Sequence, residues 1–114
     1  MAFTGRLRSF ISCIIGDGSF FMNLQDLQTI VQYNIPVVIS VINNNGYLAI
    51  RHTQNEFQEG RFYGTHPDWG LTLPSVEKTA FAFGTKYIKI ETADEIHNKI
   101  NSVIRTDAPI ICEV

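Results

Sequence analysis

The chain has 114 residues and a formal net charge of −2, and 45% of its residues are hydrophobic while 18% are charged. This length and apolar content suit one domain with a buried core. Lysines and arginines are scattered, which argues against the dense basic surface that nucleic acids require. The apolar runs are too short to span a membrane, and the first residues lack the long apolar core expected of a signal peptide. We therefore expect a soluble, cytoplasmic protein with no nucleic-acid or membrane partner.

The first predicted element is a strand at residues 9–15, an apolar and β-branched run that ends at Gly16. Such a run is typical of a strand buried on both faces of a parallel sheet. Ser19 is the predicted N-cap of the following helix. Apolar residues at helical spacing, followed by two stop signals, define this helix: Phe20, Leu24, Leu27 and Val31, then Asn34 and Pro36.

A second continuous apolar strand is predicted at Val37–Ile42. Residues 43–71 follow it as a polar and aromatic stretch that several glycines and a proline interrupt. This pattern predicts a long loop, and structured loops of this length tend to carry function.

The second half of the chain continues the alternation of strands and helices. Residues 75–83 form a predicted helix, with Pro74 near its start and Gly84 at its end. Residues 87–90 and 110–114 are the two remaining predicted strands.

A final predicted helix begins with a capping box between those two strands. In this motif Thr92 and Glu95 each accept a hydrogen bond from the other's backbone amide. Ile96, Ile100 and Val103 are its predicted buried residues. The whole alternation predicts an α/β fold, a doubly wound parallel sheet with helices on both faces.

The two cysteines lie in apolar, strand-like runs. Cys13 and Cys112 have no further cysteine at metal-ligand spacing. This arrangement predicts two buried thiols and neither a disulfide nor a zinc site.

Polar motifs follow the first two predicted strands. Gly16-Asp17-Gly18 follows the first, and Asn44, which lies 27 residues after Asp17, follows the second. Ligands of parallel sheets collect at these carboxyl ends. Carboxylate and amide oxygens suit Mg²⁺, which usually takes one or two protein side chains and leaves other positions to phosphate and water. The glycines allow the backbone to approach phosphate oxygens. Together the motifs predict a magnesium ion that carries a diphosphate.

The motifs are compatible with three other interpretations. Asn45-Gly46 is also typical of a hairpin turn, although residues 47–50 lack the alternation of a partner strand. Asp17 alone is compatible with an Asx turn. A small α/β domain with an aspartate at a strand end also suggests a receiver module with a phosphorylated aspartate, but no acidic metal ligand precedes Asp17.

The motifs and their flanks resemble the diphosphate-binding domain of thiamine diphosphate enzymes, especially the acetolactate synthase group. Residues 16–29, 36–47 and 108–114 carry the resemblance, which covers roughly everything after Phe10. It implies that Asp17, Asn44 and the Gly46 carbonyl ligate Mg²⁺. The implied cofactor-binding residues are Gly16, Asp17, Gly18, Ser19, Asn44, Gly46 and Tyr47.

The resemblance also implies a larger enzyme that decarboxylates 2-oxo acids, with or without carboligation. The activating glutamate of that family belongs to a pyrimidine-binding domain of another subunit, which nothing here resembles. We therefore expect no catalytic residue in this chain, no activity of the chain alone, and a homo-oligomer. Residues 1–8 are interpreted as a non-family N-terminal extension and residues 9–114 as a partial diphosphate-binding domain.

A departure from the family pattern and an alternative function both bear on the activity. Acetolactate synthases usually have Gln-Trp-Gln where this chain has His52-Thr53-Gln54, so acetolactate formation is in doubt. A non-catalytic subunit or scaffold with the same fold is the alternative. The side chains expected at a contact between subunits are Phe20, Phe21, Met22, Phe57, Phe62 and Tyr63.

Overall fold

The computed structural model describes residues 11–114. Its strands and α-helices are, in chain order, β1 (Ile11–Gly16), α1 (Asp17–Met22), α2 (Asp26–Gln32), β2 (Val37–Ile42), α3 (Leu48–Phe57), α4 (Val76–Phe83), β3 (Lys86–Lys89), α5 (Ala93–Ile104) and β4 (Ile110–Glu113). A short 3₁₀ helix at Pro67–Trp69 lies between α3 and α4. Within this part of the chain, none of the helices combines the length and apolarity needed to cross a bilayer.

The four strands form one parallel sheet in the order β1-β2-β4-β3. The register places Ile11 beside Val37, and Val41 beside Glu113. The chain moves in one direction across the sheet from β1 to β3 and then returns, so that β4 is inserted between β2 and β3. Because such crossovers are right-handed, the return places α5 on the opposite face from the earlier helices.

Two apolar clusters on opposite faces of the sheet confirm the predicted doubly wound α/β fold. One face packs against α1, α2 and α4; its buried members are Phe20, Leu27, Val37, Ile39, Val41, Val76, Ala80 and Ile111. The other packs against α5, and its buried members are Val38, Ile90, Val103, Ile110 and Cys112. Neighbouring residues of β2 point to opposite clusters, as the period-two geometry of a strand requires.

Among residues 11–114 the first strand lies at an edge of the sheet, and its exposure contradicts the prediction that it is buried on both faces. Within residues 11–114, β1 pairs with β2 alone, and Ile14 is 75% exposed. Cys13 is also exposed, contrary to prediction, whereas Cys112 is buried as predicted. A continuous apolar run does not distinguish a central strand from an edge strand. Residues 9 and 10 of the predicted strand, and the predicted extension at residues 1–8, lie outside the described residues.

The helix after β1 begins three residues earlier than predicted and is interrupted. Gly16 is its N-cap, with no capping side chain, and Asp17 is its first residue. Ser19 therefore lies inside α1 and is exposed, so its predicted capping role is wrong. A turn with hydrogen bonds from Asp26 N to Asn23 O and from Leu27 N to Leu24 O separates α1 from α2. Asparagine favours such turns over helix interiors.

The predicted long loop contains a ten-residue helix, α3, which the sequence pattern did not reveal. Gln54 is its buried residue, while Leu48, Ile50 and Phe57 are exposed. Without a buried apolar stripe, the helix lacks the periodicity on which sequence prediction depends.

Later elements follow the predictions with two corrections. Gly84 ends α4 at φ +70°, as expected, while Ser75, the predicted first residue of the helix, is its N-cap. Thr92 caps α5, but the Glu95 carboxylate accepts from Glu91 N at 2.9 Å and not from Thr92 N. Ile96, predicted to be buried, is 41% exposed.

Candidate functional site

A buried carboxylate joins the two predicted motifs. Asp17, at the junction of β1 and α1, is only 2% exposed. Its Oδ1 accepts a hydrogen bond from Gly18 N at 2.8 Å, and its Oδ2 accepts one from Gly46 N at 2.9 Å. The ends of β1 and β2 therefore meet through this side chain, as the motif spacing predicts.

This geometry removes two of the alternative interpretations. The chain after Gly46 forms helix α3 and no strand, so the hairpin interpretation is wrong. A phosphorylated aspartate must present an oxygen to its phosphodonor, whereas Asp17 is buried and both of its oxygens accept backbone hydrogen bonds. A receiver module does not fit this arrangement.

The end of the Asn44 side chain meets two oxygens, Asp17 Oδ1 and Gly46 O. One atom of the Asn44 amide lies 2.6 Å from Gly46 O and 3.2 Å from Asp17 Oδ1. Two arrangements satisfy these acceptors: an Asn44 amide turned so that its nitrogen donates to both, or a cation that the Asn44 oxygen and the two acceptors ligate. Neighbouring ligands of octahedral Mg²⁺, each about 2.1 Å from the ion, lie about 3 Å from each other. The 3.2 Å distance is close to that value, and the 2.6 Å distance is shorter.

Gly46 has a backbone that other residues could not adopt without strain. Its φ is +114°, and a β-carbon there would lie 2.3 Å from Leu71 Cδ2 and 2.9 Å from Thr65 O. Thr65 is fixed by Gln54 of α3, whose Oε1 accepts from Thr65 Oγ1 at 2.5 Å. Gln54 also donates to Tyr63 O at 3.2 Å. These buried polar contacts hold the surrounding loop against Gly46.

The Gln54 and Thr65 pair was missed at the sequence level. The residues are 11 positions apart, and Thr65 lies in a segment without regular structure. No sequence pattern indicated this contact, because helix α3, which carries Gln54, was itself not predicted.

A cavity of about 340 Å³ opens beside Asn44 and Gly46. Six of the seven predicted cofactor-binding residues line it: Gly16, Gly18, Ser19, Asn44, Gly46 and Tyr47. Met22, Leu48 and Ile50 give it an apolar side. The seventh predicted residue, Asp17, lies behind these residues and lines a neighbouring cavity of about 280 Å³.

Two further side chains fix the loop between β2 and α3. Arg51 Nη2 donates to Asn44 O at 2.8 Å, and Asn43 Nδ2 donates to Glu113 Oε1 at 2.7 Å. The Asn44 backbone is thus hydrogen-bonded to α3, while the Asn43 side chain is hydrogen-bonded to β4. No role for Glu113 was predicted from sequence.

Comparison with known proteins decides the family. A sequence model of the thiamine pyrophosphate enzyme, C-terminal TPP binding domain, matches residues 2–114. The chain belongs to this family. Thiamine pyrophosphate is another name for thiamine diphosphate, so the match confirms the resemblance found in the motifs.

Relatives of this TPP-binding domain are much longer proteins. The chain is 34% identical over 103 residues to an acetolactate synthase large subunit of Cyanidium caldarium, covering 90% of the chain and 17% of the relative. It is 39% identical over 90 residues to the acetolactate synthase large subunit of Haemophilus influenzae, covering 79% and 15%. The chain therefore spans about a sixth of the length of these relatives.

A solved structure shows the same fold for the TPP-binding domain. The thiamine diphosphate-dependent 4-hydroxybenzoylformate decarboxylase of Rhodococcus jostii RHA1 superposes with a TM-score of 0.76 at 30% identity. The match covers 94% of the chain and 20% of the decarboxylase chain.

The polar groups that meet at the candidate site are of mixed type. Within residues 11–114 there is no group of three histidine, cysteine, aspartate or glutamate side chains suited to a metal ion. One carboxylate, one amide and one backbone carbonyl suit a hard cation that keeps other positions for phosphate and water, and they suit zinc or copper poorly.

Proposed function

We propose that this chain is the magnesium- and thiamine diphosphate-binding domain of an acetolactate synthase-like enzyme that acts on 2-oxo acids. The observation that carries the proposal is the meeting of the Asn44 side-chain amide with Asp17 Oδ1 and Gly46 O beside the cavity. Mg²⁺ held by the Asn44 oxygen and these two acceptors would neutralise part of the diphosphate charge next to a buried carboxylate.

The chain's own residues bind and orient the cofactor in this proposal. Gly16, Gly18 and Ser19 line the cavity beside the metal oxygens and would contact the diphosphate. Tyr47 and the apolar residues of α3 would exclude water from the rest of the cofactor. When bound, thiamine diphosphate supplies the carbon nucleophile and the electron sink for 2-oxo acid decarboxylation.

Acid and base chemistry comes from elsewhere in this proposal. Aspartate, glutamate, histidine and lysine are not among the residues that line the 340 Å³ cavity. The groups that activate the cofactor would then lie on a pyrimidine-binding domain, contributed by another subunit of a homo-oligomer. The isolated chain would bind the cofactor weakly and would not turn over substrate.

Calorimetric titration of the full-length protein with thiamine diphosphate tests the metal site. Binding should require Mg²⁺ and should disappear with EDTA. Asn44→Ala should abolish the metal-dependent binding, because it removes one ligand and leaves the Asp17 hydrogen bonds in place. Asn98→Ala, an exposed change on α5, is the matched control and should bind as the wild type does. Metal-dependent binding that survives in Asn44→Ala would contradict the proposal.

Carbon dioxide release from a set of 2-oxo acids tests the reaction. Pyruvate, 2-oxobutyrate and benzoylformate cover small aliphatic, larger aliphatic and aromatic substrates. Release that depends on both Mg²⁺ and thiamine diphosphate would support a decarboxylase. Tight cofactor binding without turnover of any 2-oxo acid would instead favour the non-catalytic subunit.

A further inference from the structure

Glu113, the last residue of β4, is a carboxylate buried at the carboxyl end of the sheet. It is 8% exposed. Its two oxygens have separate partners: Oε1 accepts from Asn43 Nδ2 at 2.7 Å, and Oε2 accepts from the Tyr87 hydroxyl at 2.5 Å. The side chain therefore connects the end of β4 with Tyr87 of β3 and with the residue that follows β2.

Both partners of this carboxylate are neutral. Among residues 11–114, no lysine, arginine or histidine lies within ion-pair distance of Glu113; Lys89, on the neighbouring strand, pairs with Glu91 at 2.7 Å. Burial and the hydrogen bond to Glu113 raise the pKa of Tyr87, so the phenol remains a donor. A buried carboxylate without a cationic partner costs stability. Its presence here calls for a role other than stabilisation.

Asn43 connects Glu113 to the turn after β2, residues 43–46, which we call the metal loop. The Asn43 side-chain oxygen accepts from Asn45 N at 3.4 Å, so its amide spans the turn that contains Asn44. Asn43 N also donates to Val114 O at 2.9 Å. Both the backbone and the side chain of Asn43 are thus held by the end of β4, immediately before the proposed metal ligand.

We propose that Glu113 is a positioning residue for the metal loop. By holding the Asn43 amide, it fixes the turn that directs the Asn44 side chain toward Asp17. A carboxylate suits this role because it accepts two hydrogen bonds at once, one from Asn43 and one from Tyr87. The inference rests on the proposed magnesium site, and it adds a residue that neither binds the metal nor lines the 340 Å³ cavity.

Binding of Mn²⁺ to the full-length protein, followed by electron paramagnetic resonance with thiamine diphosphate present, tests the role. Glu113→Gln keeps the shape but replaces one acceptor with a donor, and Asn43→Ala removes the other side of the same bond. Both should weaken Mn²⁺ binding about tenfold, the lower end of the range for residues that orient metal ligands. Tyr87→Phe removes the other donor to the same carboxylate and should leave Mn²⁺ affinity unchanged.

Steady-state kinetics provides a second readout. In Glu113→Gln the Mg²⁺ concentration for half-maximal activity should rise, while kcat at saturating Mg²⁺ should match the wild type. If Glu113→Gln does not fold, the test compares the Mn²⁺ affinity of Asn43→Ala with that of Tyr87→Phe.

The outcomes separate this inference from the proposal on which it rests. Wild-type affinity in both Glu113→Gln and Asn43→Ala would overturn the positioning role and leave the metal site standing. Equal weakening by Tyr87→Phe would also overturn it, because the carboxylate would then act only through general stability. A wild-type protein that binds no Mn²⁺ would overturn the metal site and the positioning role together.

Discussion

The ring of Tyr47 lies against the backbone of Gly18, so that a β-carbon on Gly18 would be 2.7 Å from Tyr47 Cε1. The two residues belong to the two motifs that follow β1 and β2. Their contact forms one wall of the 340 Å³ cavity. The glycine is therefore required by an aromatic neighbour as well as by any phosphate that approaches it.

We expect Gly18→Ala to destabilise the protein by about 1–3 kcal/mol, the usual cost of inserting a methyl group into a packed site. Urea denaturation measures this change. In a Tyr47→Ala background the added cost of Gly18→Ala should shrink, because the ring that meets the new methyl group is gone. Additive effects in this double-mutant cycle would show that the ring does not set the cost.

Gly16→Ala should behave differently from Gly18→Ala. A β-carbon at Gly16 has no neighbour within 4 Å, and its φ of −73° suits alanine. Unfolding should be unaffected, while the affinity for thiamine diphosphate should fall if the diphosphate approaches this backbone. Unchanged cofactor affinity would remove Gly16 from the proposed binding residues.

Gly46→Ala should cost more than a change of backbone conformation alone. A positive φ costs a residue with a β-carbon about 1–2 kcal/mol, and at Gly46 the new atom would also overlap Leu71 and Thr65. Gly70→Ala is the matched control, since Gly70 has φ +92° and open space around it. Denaturation should rank Gly46→Ala as the more destabilising change, and only Gly46→Ala should weaken Mn²⁺ binding.

Arg51→Met should weaken metal binding with little loss of stability. It removes the hydrogen bond to Asn44 O and also an Nε atom that is buried without a hydrogen-bond partner among the described residues. We expect Mn²⁺ affinity to fall about tenfold. His52→Ala, at the exposed neighbouring position of α3, is the control. Equal Mn²⁺ affinity in both variants would contradict a role for Arg51 in the metal loop.

The two thiols should differ in reactivity. Cys13 is exposed, while burial raises the pKa of Cys112. Because the thiolate is the nucleophile, iodoacetamide at mildly alkaline pH should label Cys13 first. The sign for stability follows from the raised pKa: the contribution of the neutral Cys112 thiol is complete below the unfolded pKa and is lost as the pH rises through the folded one. Mass spectrometry after labelling, with urea-unfolded protein as the control, checks the order.

Self-association of the chain remains a prediction, now with a corrected set of residues. Phe20 belongs to the buried core and cannot contribute to a contact, whereas Met22, Phe57 and Tyr63 are exposed. Sedimentation at micromolar concentration should show oligomers that Phe57→Ser weakens. Phe81→Ser, a change at a similarly exposed position on α4, is the control. A monomeric wild-type chain would defeat the prediction.

The sequence was sufficient where local chemistry decides the structure. Val37–Ile42 forms a strand with the predicted bounds because its β-branched residues serve both faces of a central position. Pro74 and Gly84 marked the limits of α4. Asp17 and Asn44 could be paired because their residue types suit a hard cation and each follows a strand of the same sheet.

Other features depend on contacts that no local pattern carries. Asn43 and Glu113 are 70 residues apart and become neighbours only when β4 enters the sheet. The exposure of Ile14 depends on which strand lies at the edge. Helix α3 was not predicted because its buried residue is the polar Gln54, which is hydrogen-bonded to Thr65 and does not pack in an apolar core.

The strand order has a consequence for how the protein folds. The last strand of the described chain, β4, occupies the position between β2 and β3. A nascent chain that has left the ribosome only as far as β3 therefore has the β1–β2 pair and an isolated β3, and one edge of β2 is open. Joining them requires contacts between distant parts of the sequence, which slows folding and favours aggregation of incomplete chains. We expect the metal loop to become ordered only after β4 has been synthesised.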